Sequence, residues 1–104
     1  MERSQLLSEI KQRLQEAFGE RLRGVVLYGS EARGDAREDS DIDILMLLDG
    51  PIRLGRDIDT GVESLYPIVL RLGRTIEALP VDVRSYEDGL TGFYREAKRE
   101  GIVA

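Results

Sequence analysis

The chain has 104 residues, 41 % apolar and 34 % charged, the composition of one globular domain with a single core. It contains neither cysteine nor histidine, which excludes disulfides, thiolate and imidazole metal sites, Ser-His-Asp triads and histidine bases. A net charge of −5, from 20 acids against 15 bases, argues against a face that coats duplex nucleic acid; a nucleotide held through divalent ions remains compatible with it.

Residues Glu2 to Phe18 repeat apolar side chains at Leu6, Leu7, Ile10, Leu14, Ala17 and Phe18. That spacing predicts a helix, with Ser4 as N-cap and Gly19 as the stop. Gly24 to Tyr28 is a short β-branched run ended by Gly29, a buried strand. Ser30 to Ser40 is polar and reads as a loop with room for one helical turn. Asp41 to Leu48 is a second buried strand, closed by the turn Asp49-Gly50-Pro51. Ile58, Val62, Leu65, Val69 and Leu72 recur at steps of four and three, so a helix is predicted from Leu54 to Leu72, with a kink at Pro67 and a stop at Gly73. Thr75 to Val81 reads as a third strand, and Pro80, which has no ladder donor, belongs at its end or on a sheet edge. A capped turn at Asp82 and a last helix near Thr91 to Glu100 follow, the latter with Leu90, Phe93, Tyr94 and Ala97 on its apolar face. The expected fold is α/β or α+β: a small mixed three-stranded sheet and its helices in a single layer pair. The longest apolar run, Ile44 to Leu48, is far short of a membrane span, and the charged N-terminus is not signal-like, so a cytoplasmic location is expected.

The residues able to carry chemistry gather around the first two strands. Asp41 and Asp43 lie two apart on a strand, hence on one face and about 6.5–7 Å apart along the backbone. Their mutual repulsion is relieved most economically by a hard divalent cation. As an isolated pair they would more often be plain solvent-facing acids. Asp39, Asp41 and Asp43 also alternate as in a calcium loop; there, however, the turn glycine would fall on Ile44 and the closing glutamate on Gly50, so that reading fails. Gly29 permits a sharp turn whose amides can cradle phosphate, Ser30 adds a hydroxyl, and Arg33 can offer a guanidinium or simply pair with neighbouring acids.

Together these parts are more specific. Leu27-Tyr28-Gly29-Ser30-Glu31-Ala32-Arg33-Gly34-Asp35, followed by Asp39-Ser40-Asp41-Ile42-Asp43-Ile44, closely resembles the minimal members of the nucleotidyltransferase superfamily related to DNA polymerase β. The resemblance extends to Thr91-Gly92-Phe93 and Arg99-Glu100-Gly101-Ile102, and implies one minimal nucleotidyltransferase domain over residues 1–104. The family carries a third carboxylate on the next strand. Leu72-Gly73-Arg74-Thr75-Ile76-Glu77 matches the run before it, with glutamate where aspartate is usual; Asp82, the other candidate, could instead cap the next turn. Glu77 is favoured.

The resemblance implies transfer of a nucleoside monophosphate, AMP in the first instance, from ATP or another triphosphate to a hydroxyl. Two Mg2+ ions would be held by Asp41, Asp43 and Glu77, with Glu77 also able to take the acceptor's proton. Ser30, the amides around Gly29 and Arg33 would hold the phosphates. It further implies an antitoxin whose acceptor is a tyrosine of a HEPN-domain toxin. The competing reading is a module that masks the toxin by docking, with weak or lost catalysis. An enzyme acting on small molecules fits less well, because no helical domain for an acceptor pocket is in sight. Four tyrosines and an arginine-rich last helix leave an oligomer open.

Overall fold

The computed structural model describes residues 2–104. In chain order it contains α1 (Arg3–Phe18), a 3-10 turn (Gly19–Arg21), β1 (Leu22–Tyr28), α2 (Gly29–Arg33), β2 (Ile42–Leu48), α3 (Leu54–Leu72), β3 (Ile76–Asp82), α4 (Val83–Glu87), α5 (Gly92–Glu100) and β4 (Ile102–Val103). The sheet order is β3-β2-β1-β4. β1 runs antiparallel to both β2 and β4, whereas β2 and β3 are parallel. That pattern follows from the connections: a polar loop can reverse the chain between β1 and β2, but a parallel pair needs a crossover, supplied by α3.

Alternation along the strands sorts the core into two layers. Val25, Leu27, Ile42, Ile44, Met46, Leu48 and Ile76 face α1 and α3, where Leu6, Leu7, Ile10, Leu14, Leu65 and Ile68 cover them. Val26, Leu45, Leu47 and Val81 face the other way, against Val83 and Tyr86 of α4 and Ala97 of α5. Helices therefore lie on both faces, not in the single layer pair expected. Burial on both faces also explains why β1 and β2 read as nearly continuous apolar runs.

Other expectations shift by a residue or a turn. A fourth strand joins the predicted three: Ile102 pairs with Leu27 and Val103 with Val26, a segment too short to show any periodicity. Ser4 does not cap α1; the N-cap is Glu2, and the Ser4 hydroxyl donates to its carboxylate. The polar stretch does contain its helical turn, α2, closed by Gly34. Thr91 and Asp82 cap α5 and α4 through their side chains, as predicted for the latter. Leu90 precedes α5 and is exposed, not part of its packed face. Pro80 lies on β3, the edge strand, as a residue without an N–H donor favours.

The most informative difference is the rotation of α3. Its fully buried face is Asp57, Gly61, Leu65 and Ile68; of the predicted line Ile58, Val62, Leu65, Val69 and Leu72, Leu65 lies in the core, Val69 and Leu72 pack against it, and Val62 turns to solvent. Gly61 favours this approach: a Cβ there would lie 2.9 Å from the Met46 sulfur, so a larger residue would have to push that buried side chain aside. Val62 is left 54 % exposed. Helix α3 continues through Pro67, which faces solvent. Among the described residues, no helix is long and apolar enough to cross a membrane.

Candidate active site

The register brings two of the candidate acids, together with Tyr28, into one row across the sheet. Tyr28 of β1 pairs with Asp43 of β2, and Asp43 pairs in turn with Glu77 of β3. Directly paired residues point to the same face, here the one opposite α1 and α3. Asp41 stands just before β2, exposed. The Ile42 amide donates to the Thr75 carbonyl at 2.9 Å, which fixes the start of β2 beside β3.

Asp82 lies at the far end of the same strand pair, opposite Leu48. Five residues of strand separate it from Glu77, about 16 Å. Its carboxylate accepts from the Ser85 amide at 3.1 Å and from the Ser85 hydroxyl at 3.0 Å. Of the two candidates for a third carboxylate, only Glu77 stands beside Asp43.

Asp43 and Glu77 are perturbed by their surroundings. Negative charge on Asp41 and Asp43 raises the Glu77 pKa above the usual carboxylate range, with burial and contact with both aspartates adding to it. Burial foremost raises that of Asp43; the Asp41 charge adds, while contact with Glu77 works the other way. Burial, then Asp43 and Glu77, also lift the Tyr28 phenol. Among the described residues, no ion pair involves Asp41, Asp43 or Glu77.

Gly29 makes the bend between β1 and α2. Its φ of +73° belongs to the left-handed region, and a Cβ there would meet the Asp43 Oδ2 at 2.7 Å. The carboxylate is thus held against bare backbone. Gly29→Ala is expected to cost about 1–2 kcal/mol for the left-handed backbone and to push the movable Asp43 carboxylate aside. Thermal unfolding checks the first effect and nucleotidyl transfer the second. Ser30 follows, half-buried in α2, and its carbonyl accepts from the Asp35 amide at 3.1 Å.

Arg33 is not drawn into the acid row. It pairs with Asp35 at 3.4 Å and Glu100 at 3.7 Å, both exposed or partly exposed contacts worth little. Sequence reasoning passed over Arg74, which the structure places at the site's rim. Its Nε donates to the Ser40 carbonyl at 2.9 Å and its Nη1 to the Glu31 carboxylate, while Nη2 is buried without a partner. Arg74 therefore clips α2 to the segment that leads into Asp41. The signal in the sequence was only an arginine before a strand.

Hard carboxylate oxygens are the donors magnesium prefers, and unpaired acids in contact are what a divalent cation would neutralise. Among the described residues, no group of three or more His, Cys, Asp or Glu side chains is arranged to hold a metal ion by itself. Magnesium does not need such a group, since it is commonly bound by one or two carboxylates and the substrate's own phosphates. The donor set fits.

A mixed sheet with a glycine bend and an acid pair on adjacent antiparallel strands defines a nucleotidyltransferase. The sequence model of the nucleotidyltransferase domain family matches residues 7–99, and the chain belongs to that family. A Methanocaldococcus jannaschii protein named "Putative protein adenylyltransferase MJ0604" is 29 % identical over 104 residues, 99 % of this chain and 98 % of its own length. A second M. jannaschii protein of the same description is 40 % identical over 48 residues, 46 % of this chain and 48 % of its own. Among solved structures, a toxin–antitoxin crystallised with AMP-PNP superposes with a TM-score of 0.67 at 18 % identity, over 92 % of this chain and 69 % of that one. A structure titled "Crystal structure of a putative nucleotidyltransferase from Sulfolobus solfataricus at 1.40 A resolution" gives a TM-score of 0.55 at 24 % identity, over 96 % of this chain and 79 % of that one. At these identities the structures speak for the fold alone.

Proposed function

We propose that this chain, acting as one unit over residues 1–104, transfers AMP from ATP to a hydroxyl on a partner protein and releases pyrophosphate. The carrying observation is the Asp43–Glu77 pairing, with Asp41 beside it and the Gly29 bend pressed against Asp43. Similarity over nearly the full length of a relative named as a protein adenylyltransferase supports AMP and a protein acceptor. The sequence resemblance implies a toxin of the HEPN class, modified on tyrosine, as that acceptor, and the fold is shared with a structure titled as a toxin–antitoxin with AMP-PNP.

Asp41, Asp43 and Glu77 would hold two Mg2+ ions, which supply Lewis-acid polarisation of the phosphates and of the acceptor oxygen. The chain's own groups bind and orient. Ser30 and the backbone amides around Gly29 hold the β- and γ-phosphates, and Arg33 can leave its weak pairs to join them. The acceptor oxygen forms a bond to the α-phosphorus as the bond to the β-phosphate oxygen breaks. Its proton passes to the Glu77 carboxylate, which stands beside Asp43.

The register makes the test specific. Glu77→Gln is expected to lower label transfer from α-labelled ATP by about 10²–10⁴-fold without loss of fold. Asp82→Ala, at a helix cap, is expected to cost about 1 kcal/mol of stability and leave transfer in place. The reverse pattern would remove Glu77 from the site. Toxin inhibition that persists after transfer is abolished would favour masking by docking.

A further inference from the structure

Resting on this reading of the site, we infer that Arg74 is a positioning residue. It holds the bend at Gly29 and Ser30 in register with the acids at the start of β2 and on β3. Neither Arg74 nor its partner Glu31 has a part in the chemistry assigned above, although both lie in the runs that carry the family resemblance. Three separate segments must agree in position for that chemistry: Gly29 and Ser30 open α2, Asp41 precedes β2, and Glu77 belongs to β3.

Residues 34–41 join the first two segments, and their own bonds are local. The Asp35 amide donates to the Ser30 carbonyl at 3.1 Å, the Ser40 amide to the Arg37 carbonyl at 3.1 Å, and the Arg37 amide to the Ser40 hydroxyl at 2.9 Å. These shape the loop without fixing its far end to β3. Two neighbouring residues do that. The Thr75 carbonyl accepts from the Ile42 amide, and Arg74 reaches the Ser40 carbonyl through Nε and the Glu31 carboxylate through Nη1. One guanidinium just before β3 thus touches the residue next to Asp41 and the second residue after the Gly29 bend. The Arg74 and Glu31 side chains are 19 % and 20 % exposed, so solvent ions screen this pair less than the exposed Arg33–Asp35 pair. A planar fork held at two points also fixes an angle, which a point charge does not. Among the described residues, Arg74 makes no ion pair with Asp41, Asp43 or Glu77, so it acts on them through the backbone. A misplacement of about 1 Å between groups that orient a substrate can cost about a hundredfold in rate. Loss of Arg74 should therefore lower kcat more than it raises KM.

The test compares the whole parent chain with Arg74→Gln, Arg74→Lys and Glu31→Gln. Without nucleotide, Arg74→Gln is expected to speed amide hydrogen exchange at Asp35 and Ile42 at least about tenfold, while α1 and α3 keep their protection. Transfer from α-labelled ATP to N-acetyl-L-tyrosinamide is expected to lose about 10–100-fold in kcat, with KM for ATP changed less than about threefold. Lysine at 74 should recover only part of the loss, because one ammonium replaces a fork that reaches two segments. Glu31→Gln should reproduce part of it and add little to Arg74→Gln in the double variant, since both remove one shared contact. Unchanged exchange at Asp35 and Ile42 would overturn the inference, and so would faster exchange spread through α1 and α3, the mark of a general loss of stability. A raised KM with kcat kept would make Arg74 a ligand of the nucleotide, and full recovery by lysine would reduce it to a charge; either overturns it. Absence of transfer in the parent would count against the assigned reaction instead, and the exchange rates would still decide whether Arg74 sets the register.

Discussion

Replacing both Asp41 and Asp43 by asparagine is expected to lower nucleotidyl transfer about a thousandfold or more while leaving thermal stability unchanged or higher. Each carboxylate would hold a cation that neutralises charge at the reacting phosphate, and losing one such electrostatic stabiliser costs roughly two to three orders of magnitude. Stability should move the other way, because Asp41, Asp43 and Glu77 repel one another in the apo chain and none has a cationic partner. Asparagine keeps the volume and removes the repulsion. Transfer measured beside thermal unfolding, both without and with Mg2+, separates the two effects. A further signature is that Mg2+ should raise the melting temperature of the parent chain and not of the double variant, since an ion bound only by the folded state stabilises it by mass action. Retained transfer in the double variant would remove these residues from the site.

The same acids show where the sequence was legible and where it stopped. Alternation alone places Asp43 on the opposite face from Ile42 and Ile44, and the structure keeps that division. Local signals also carried α1, α3 and the Asp82 cap, because periodicity, glycine stops and capping side chains act within a few residues. The choice between Glu77 and Asp82 was of another kind. It depends on which residue of β3 lies opposite Asp43, a pairing across more than thirty positions of chain that no local pattern records. β4 escaped because two residues hold no period; it exists only through its bonds to β1. The face of α3 was misjudged for a related reason. Hydrophobicity counts Val62 as core and Gly61 and Asp57 as surface, but a close helix–sheet approach needs the missing Cβ, and an acid can be buried once an arginine meets it.

That buried acid carries the second large effect: Asp57→Ala is expected to cost about 2–3 kcal/mol. Asp57 is 1 % exposed and accepts two bonds from Arg21, at 2.9 Å from Nη1 and 3.0 Å from Nη2, with a third from the Arg53 amide at 2.9 Å. Arg21 in turn donates to the carbonyls of Asp49 at 3.3 Å and Pro51 at 3.1 Å, so one guanidinium fastens the start of β1, the turn after β2 and the first turn of α3. Removing one partner of a fully buried pair costs about 3–5 kcal/mol. The Arg21 side chain is 37 % exposed and can recover hydration, which sets the lower figure. In a chain of this size the loss lowers the melting temperature by the order of 10 °C. The pair also gives stability a pH dependence of definite sign. The Arg21 hydrogen bonds, helped by the Arg53 amide and opposed by burial, hold the Asp57 carboxyl below its ordinary value. Its contribution is therefore complete above the unfolded carboxylate pKa of about 3.9 and drains away as the pH falls through the lower folded value. Denaturant titrations of the parent and Asp57→Ala should differ most near neutrality and converge in acid. A gap that stays constant from pH 7 to pH 2 would mean that the carboxylate charge contributes nothing and packing alone accounts for the loss.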